Sequence, residues 1–135
     1  MRIMGLDIGD KRIGVALSDP GEILASPFTI IERNDEKHDI GTITDIITQH
    51  EVGKIIVGLP RSMTGTIGHQ AAKVEAFVER LRSYTQIPME FQDERLSTVS
   101  ARRLLQRTGR KTRKKPRYDA AAAAVILQDY LEKRL

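Results

Sequence analysis

The tightest constraint on this chain lies in its opening stretch, where Ile3 to Leu6 and Ile13 to Leu17 are apolar runs of strand length separated by six residues. Two such runs around Gly9, which can take the positive φ a reversal needs, predict a β-hairpin. Asp7 then falls at the end of the first strand. A glycine two residues later lets another backbone or a phosphate come close. Taken alone, Asp7-Ile8-Gly9 is equally a turn whose carboxylate caps the local backbone, so the rest of the chain must decide its meaning.

The remaining pattern alternates strands and helices, which places the chain in the α/β class. Gly21 to Ile31 reads as a third strand entered through Asp19-Pro20-Gly21, and Pro27 confines it to an edge or breaks it. Asn34 or Asp35 caps a helix reaching about His50, with Ile40, Ile43, Ile46 and Ile47 on one face. Lys54 to Gly58 is a continuous β-branched run, as in a buried parallel strand. A loop containing Gly65 and Gly68 follows, at the sheet edge where α/β proteins bind ligands. No Gly-Lys-Ser/Thr closes it, so it is not a phosphate-binding P-loop.

Gln70 to Ser83 forms the next helix, with Ala71, Val74, Val78 and Leu81 buried. Pro88 to Glu94 alternates apolar and polar residues, a half-buried strand that ends on the adjacent acids Asp93 and Glu94. Ser97 caps a helix over 98–108 that stops at Gly109. The stretch Arg110 to Arg117 reads as a mobile loop, and the last helix runs from about Arg117 through Leu131.

With 135 residues, the chain is expected to form one domain spanning 1–135. Cysteine is absent, which excludes disulfide scaffolds, thiolate zinc sites and Cys nucleophiles. His38 and His50 lack ligand-like spacing and are expected at the surface or at helix ends. No signal-peptide order and no membrane-spanning apolar run is present, so the expectation is a soluble, cytoplasmic protein without a membrane partner. Lys and Arg number 22 against 18 acids, a modest excess. It is concentrated between Arg102 and Arg117, where no acid interrupts it, and a field of that density favours a polyanion.

Asp119 opens the last helix on the face of Ala123 and Ile126, where a carboxylate is costly unless partnered. Three acids therefore stand at element ends: Asp7, Asp93 or Glu94, and Asp119. Hard oxygen donors without His or Cys suit Mg²⁺ or Mn²⁺, and such ions can stabilise the attacking and leaving oxygens of phosphodiester hydrolysis. Beside a basic loop, this chemistry is that of a nuclease.

The chain resembles the YqgF family, the Holliday junction resolvase-like proteins of the RNase H-like superfamily, also described as pre-16S rRNA nucleases. The residues that carry the resemblance are Gly5-Leu6-Asp7-Ile8-Gly9-Asp10-Lys11-Arg12-Ile13-Gly14, Val57-Gly58-Leu59-Pro60 with Gly65, Asp93-Glu94-Arg95-Leu96-Ser97-Thr98, and Asp119 with the alanines that follow. They span nearly the whole chain. The resemblance implies an RNase H-like, five-stranded mixed sheet flanked by helices. It also implies catalytic and metal-binding roles for Asp7, Glu94 and Asp119. Nucleic-acid contacts fall to Lys11, Arg12, Arg95, Arg110, Lys111, Arg113, Lys114, Lys115 and Arg117. The implied activity is metal-dependent nuclease action in processing the 5′ end of pre-16S rRNA, with branched DNA as an alternative substrate and a homodimer as an admissible assembly.

RuvC-type resolvases carry an essential Glu where this chain has Gly58, so their activity does not transfer directly. Two other classes compete. Actin-like and sugar-kinase ATPases open with a similar Asp-x-Gly hairpin but need two related domains. A non-catalytic ribosome-assembly or transcription factor would share the basic patch, although pure binding gains nothing from clustered carboxylates.

Overall fold

The computed structural model describes residues 1–60, 65–93 and 120–134. The hairpin forms as expected from β1 (Arg2–Ile8) and β2 (Arg12–Ser18), paired antiparallel with Asp7 opposite Gly14. Gly9 serves a different purpose from the predicted one. It does not lie in the left-handed region; an added Cβ would sit 2.9 Å from the Arg12 carbonyl oxygen, so the turn excludes a side chain for lack of room.

Strand β3 (Ala25–Glu32) is shorter than predicted. Residues before it are drawn into a turn where the Asp19 carboxylate accepts the N–H groups of Gly21, Ile23 and Leu24, and Glu22 adopts φ 62°. Pro27 acts in both predicted ways. β3 is an edge strand, and its register against β2 shifts where Ala16 meets Pro27. Helix α1 (Glu36–His50) is capped by Asp35, whose side chain accepts the His38 N–H. Strand β4 (Val52–Leu59) then enters the sheet parallel to β1.

Helix α2 (Gly65–Arg82) begins five residues before the predicted start at Gln70. Gly65 and Gly68 thus belong to the helix and not to a ligand loop. Glycine costs about 1 kcal/mol in a helix relative to Ala, a penalty that the buried row Ala71, Val74, Phe77, Val78 and Leu81 easily offsets. Strand β5 (Met89–Asp93) completes the sheet, in the order β3-β2-β1-β4-β5, with β4 and β5 parallel. Its predicted alternation fails in burial: Phe91 is 38 % exposed while Gln92 is 8 % exposed. β5 is an edge strand among the described residues, so its α2-facing row is only partly covered.

The last described element is α3 (Ala121–Lys133), which starts later than the predicted Arg117. The sheet separates two cores. Leu6, Val15, Ile55 and Val57 pack with α1 and α2 on one face. Ile3, Ala16 and Ile56 pack with Ala123, Ala124 and Leu127 of α3 on the other. The predicted helix over 98–108 and the loop over 110–117 lie outside the described residues. Among those described, no helix is long and apolar enough to cross a membrane.

A buried ion pair fastens the hairpin turn to α1. Asp39, fully buried, accepts from Arg33 Nε at 3.2 Å and from the Asn34 N–H at 3.0 Å. Arg33 Nη1 also donates to the Gly9 carbonyl at 2.9 Å, and the Arg33 N–H donates to the Lys11 carbonyl at 2.9 Å. Burial opposes ionisation of Asp39, but the Asn34 N–H, Arg33 and His38 outweigh it and hold the carboxyl below its ordinary range. Such stability is complete above the unfolded carboxylate range and is lost as pH falls through the lowered native value. Asp39→Ala, which strands the Arg33 charge, is expected to cost about 3 kcal/mol at neutral pH. Urea melts at several pH values should show the gap between parent and variant closing in acid.

Candidate active site

Helix α3 meets the sheet where two strand residues lack side chains. A Cβ at Gly5 would lie 2.8 Å from Leu127 Cβ and 3.0 Å from the Ala123 carbonyl oxygen, so only glycine admits the helix there. A Cβ at Gly14 would lie 3.7 Å from Asp7 Cβ, 3.7 Å from Ala120 Cα and 3.6 Å from Ala123 Cβ. Gly5 and Gly14 therefore bring the start of α3 directly against Asp7. The helix-capping position, Ala120, has no side-chain cap, so the positive end of the helix dipole is left facing this corner.

Asp7 is half-buried, and among the described residues no hydrogen bond or ion pair reaches its carboxylate. Burial alone pushes its carboxyl above the ordinary range. Native proteins rarely leave such a group without a partner. An orphaned hard-oxygen donor fits a Mg²⁺ or Mn²⁺ ligand. Glu94 and Asp119 lie outside the described residues, as do Arg95, Arg110, Lys111, Arg113, Lys114, Lys115 and Arg117. Among the described residues alone, no three His or acidic groups gather into a metal-binding cluster.

The sheet register sets the neighbours of Asp7. It pairs with Gly14 of β2; Leu6 pairs with Val57 of β4, which brings Gly58 beside Asp7; and Gly58 pairs with Gln92 of β5. One row on the α3 face thus reads Gly14, Asp7, Gly58, Gln92, in which both neighbours of Asp7 are glycines. By alternation Asp93 joins the row of Met89, which packs with the α1 and α2 core on the opposite face. Sequence reasoning preferred Glu94 to Asp93 for its longer side chain and for the family motif it matches, and it missed the burial of Gln92 altogether.

Arg12, one strand period before Gly14, lies on the Asp7 face with its side chain 32 % exposed, and its Nε donates to Glu32 Oε2 at 3.1 Å. Lys11 is exposed in the turn. The Arg33 clamp on Gly9 and Lys11 holds that turn in place, and Lys73 of α2 reaches Asp10 at 3.3 Å. No motif announced the clamp; an acid in the first helical turn usually signals only a favourable dipole partner.

The family model described as RuvX, Holliday junction resolvase, matches residues 1–133. A protein of Thermoanaerobacter pseudethanolicus named "Putative pre-16S rRNA nuclease" is 48 % identical over 134 residues, covering 98 % of this chain and 96 % of its own. One of the same name from Dehalococcoides mccartyi is 50 % identical over 125 residues, covering 93 % of each chain. Among solved structures, T. thermophilus RuvC in complex with a Holliday junction substrate superposes with a TM-score of 0.69 at 12 % identity, covering 99 % of this chain and 95 % of the other. The Fowlpox virus resolvase with Holliday junction DNA gives 0.64 at 15 % identity, covering 100 % and 99 %. These likenesses show the RNase H-like fold, and the family match shows that this chain belongs to the RuvX family, the same as the YqgF family that its motifs resemble.

Proposed function

We propose that this chain is a divalent-metal-dependent nuclease, one RNase H-like domain that hydrolyses phosphodiester bonds in 5′-end processing of pre-16S rRNA in the cytoplasm. The observation that carries the reading is Asp7: a carboxylate with no partner among the described residues, raised by burial, at the corner where β1 meets the start of α3. Two nearly full-length relatives named for pre-16S rRNA nuclease support the substrate class.

Asp7, Glu94 and Asp119 would hold Mg²⁺ or Mn²⁺, which when bound stabilises charge on the attacking and leaving oxygens. Arg12 on the same face, with Lys11 in the turn, would grip the phosphate backbone. Gly14 and Gly58, the row positions on either side of Asp7, carry no side chain that could crowd its carboxylate. A homodimer would double this surface without completing the site.

The resolvase reading rests on the family description and on the two junction complexes. Purified protein should be given pre-16S rRNA with an intact 5′ leader and, separately, a Holliday junction, each with Mg²⁺, Mn²⁺ or EDTA. Metal-dependent scission of the RNA supports the proposal, scission of the junction alone supports the resolvase, and binding without scission of either defeats both.

Arg95, Arg110, Lys111, Arg113, Lys114, Lys115 and Arg117 would supply affinity without choosing sequence, because phosphate contacts position a strand but carry no base information. Replacing Lys114 and Lys115 by Ala is expected to lower the salt slope of single-strand binding by about 0.7 per lost contact. Fluorescence anisotropy across a salt series measures it, and an unchanged slope would remove these lysines from the interface.

A further inference from the structure

We propose that Arg33 is a positioning residue for the nucleic acid: by tying down the turn over Gly9, Asp10 and Lys11, it fixes the backbone from which Lys11 meets a phosphate of the strand cleaved at Asp7. The inference rests on the nuclease reading and adds a residue that itself touches no substrate.

Two donors of Arg33 converge on that turn. Its Nη1 donates to the Gly9 carbonyl at 2.9 Å, and its main-chain N–H donates to the Lys11 carbonyl at 2.9 Å. Both ends of the turn are thereby held from outside the hairpin. The guanidinium is fixed in its place from two sides, by Asp39 Oδ2 at 3.2 Å from Nε and by the Phe77 ring, whose centroid lies 5.0 Å from Cζ. The turn thus takes its position from α1 and α2. Its other link, Lys73 to Asp10 at 3.3 Å, joins side chains that are 62 % and 61 % exposed, and exposed pairs hold weakly. Most of the ordering falls to Arg33.

Stability alone does not account for the pair. Taking the Arg33 and Asp39 charges out of water costs much of what their attraction returns, and apolar residues of similar volume often join two elements as firmly. What an apolar pair cannot do is donate to the Gly9 carbonyl. Lys11 is exposed, and among the described residues no ion pair engages its ammonium, which suits it to a phosphate. A turn left free would lose its backbone entropy when the strand binds, whereas one already ordered does not. The ladder holds Asp7 opposite Gly14 and Ile8 opposite Ile13, so loosening the turn weakens the phosphate grip and leaves Asp7 in place.

The test is a double-mutant cycle of Arg33→Lys and Lys11→Ala, read as affinity for fluorescein-labelled single-stranded RNA in Ca²⁺ at about 0.1 M salt. Lysine keeps the charge beside Asp39 but lacks the fork that reaches Asp39 and Gly9 together. Losing one phosphate contact to a single strand at this salt weakens binding about fivefold, the effect expected of Lys11→Ala in the parent. Arg33→Lys should itself weaken binding by about three- to fivefold, and in its background Lys11→Ala should cost less than about threefold, because the two residues share one contact. The rise in melting temperature on adding Mn²⁺ should match that of the parent. A loss of threefold or more from Lys11→Ala in the Arg33→Lys background would overturn the inference, leaving Arg33 a purely structural residue. An inert Lys11→Ala in the parent would overturn it by removing the group that Arg33 places. Loss of the Mn²⁺ response in Arg33→Lys would do so by moving the effect to Asp7. Asp39→Asn, which keeps an acceptor for the Asn34 N–H, goes through the same cycle with the same threshold and decides if Arg33→Lys does not fold. Because the cycle is read from binding, a parent that binds but never cleaves defeats the nuclease reading alone, and a parent that cleaves with additive losses defeats this inference alone.

Discussion

Asp7→Asn is expected to abolish cleavage and, in the same protein, to raise the melting temperature measured in EDTA. The two effects share one cause. Burial pushes the Asp7 carboxyl up with no described hydrogen bond or ion pair to offset it, so the charged form costs stability in the absence of an ion. The sign follows from linkage: a carboxyl raised in the native state binds its proton more tightly there, so stability declines as pH rises from the unfolded value to the native one. The penalty is complete above that window and absent below it. Asparagine keeps the shape without the charge, so the variant should melt a few degrees higher at neutral pH and lose this advantage in acid. Removing the carboxylate would also remove the proposed metal ligand, whose ion would contribute several kcal/mol to the transition state, a loss of roughly 10²- to 10³-fold or more in rate. Mn²⁺ should raise the melting temperature of the parent and not of the variant. A variant that stays folded and cleaves at the parental rate would remove Asp7 from the site, and a lower melting temperature in EDTA would show that the carboxylate has a structural partner.

Much of the fold was legible because apolar periodicity and burial coincide. The isoleucines of α1 and the β-branched run of β4 point inward as their spacing requires, and Pro27 marked an edge strand. The errors arose where a local signal competed with tertiary packing. Gly65 and Gly68 read as loop residues on propensity, yet α2 starts there because its downstream apolar row is anchored on the sheet. Gly9 suggested a left-handed turn when the constraint was the Arg12 carbonyl. The roles of Gly5 and Gly14 depend on α3, more than a hundred residues away, and no local pattern could disclose that contact. In the same way no local pattern singled out Asp39, because its partner Arg33 acquires meaning only once its guanidinium reaches the Gly9 carbonyl. The candidate acids were visible as types at element ends, but of the three only Asp7 has its setting described here.

Glu94→Gln is expected to abolish cleavage while leaving nucleic-acid affinity equal or higher, whereas Asp93→Asn should retain turnover. Strand geometry motivates the contrast. Asp93 pairs with Leu59 and follows the row of Met89, on the face opposite Asp7, while Gln92 shares the Asp7 row. If the two-residue period of β5 continues by one residue, Glu94 joins the row of Gln92 and only it can turn its carboxylate towards Asp7. Gly58 supplies no side chain, so a further acid beside Asp7 is expected from the neighbouring strand. If Glu94 is the metal ligand proposed, removing its charge also removes a repulsion towards phosphate, which is why binding should survive or improve as chemistry fails. Asp93 already has a partner in the structure, so its loss should appear first as reduced stability. Single-turnover cleavage, affinity and melting temperature measured for both variants at one Mn²⁺ concentration separate the roles. Loss of activity in Asp93→Asn alone would reverse the assignment. Loss in both, with folding retained, would make Asp93 the residue that orients Glu94, a dependence typical of groups hydrogen-bonded to a metal ligand.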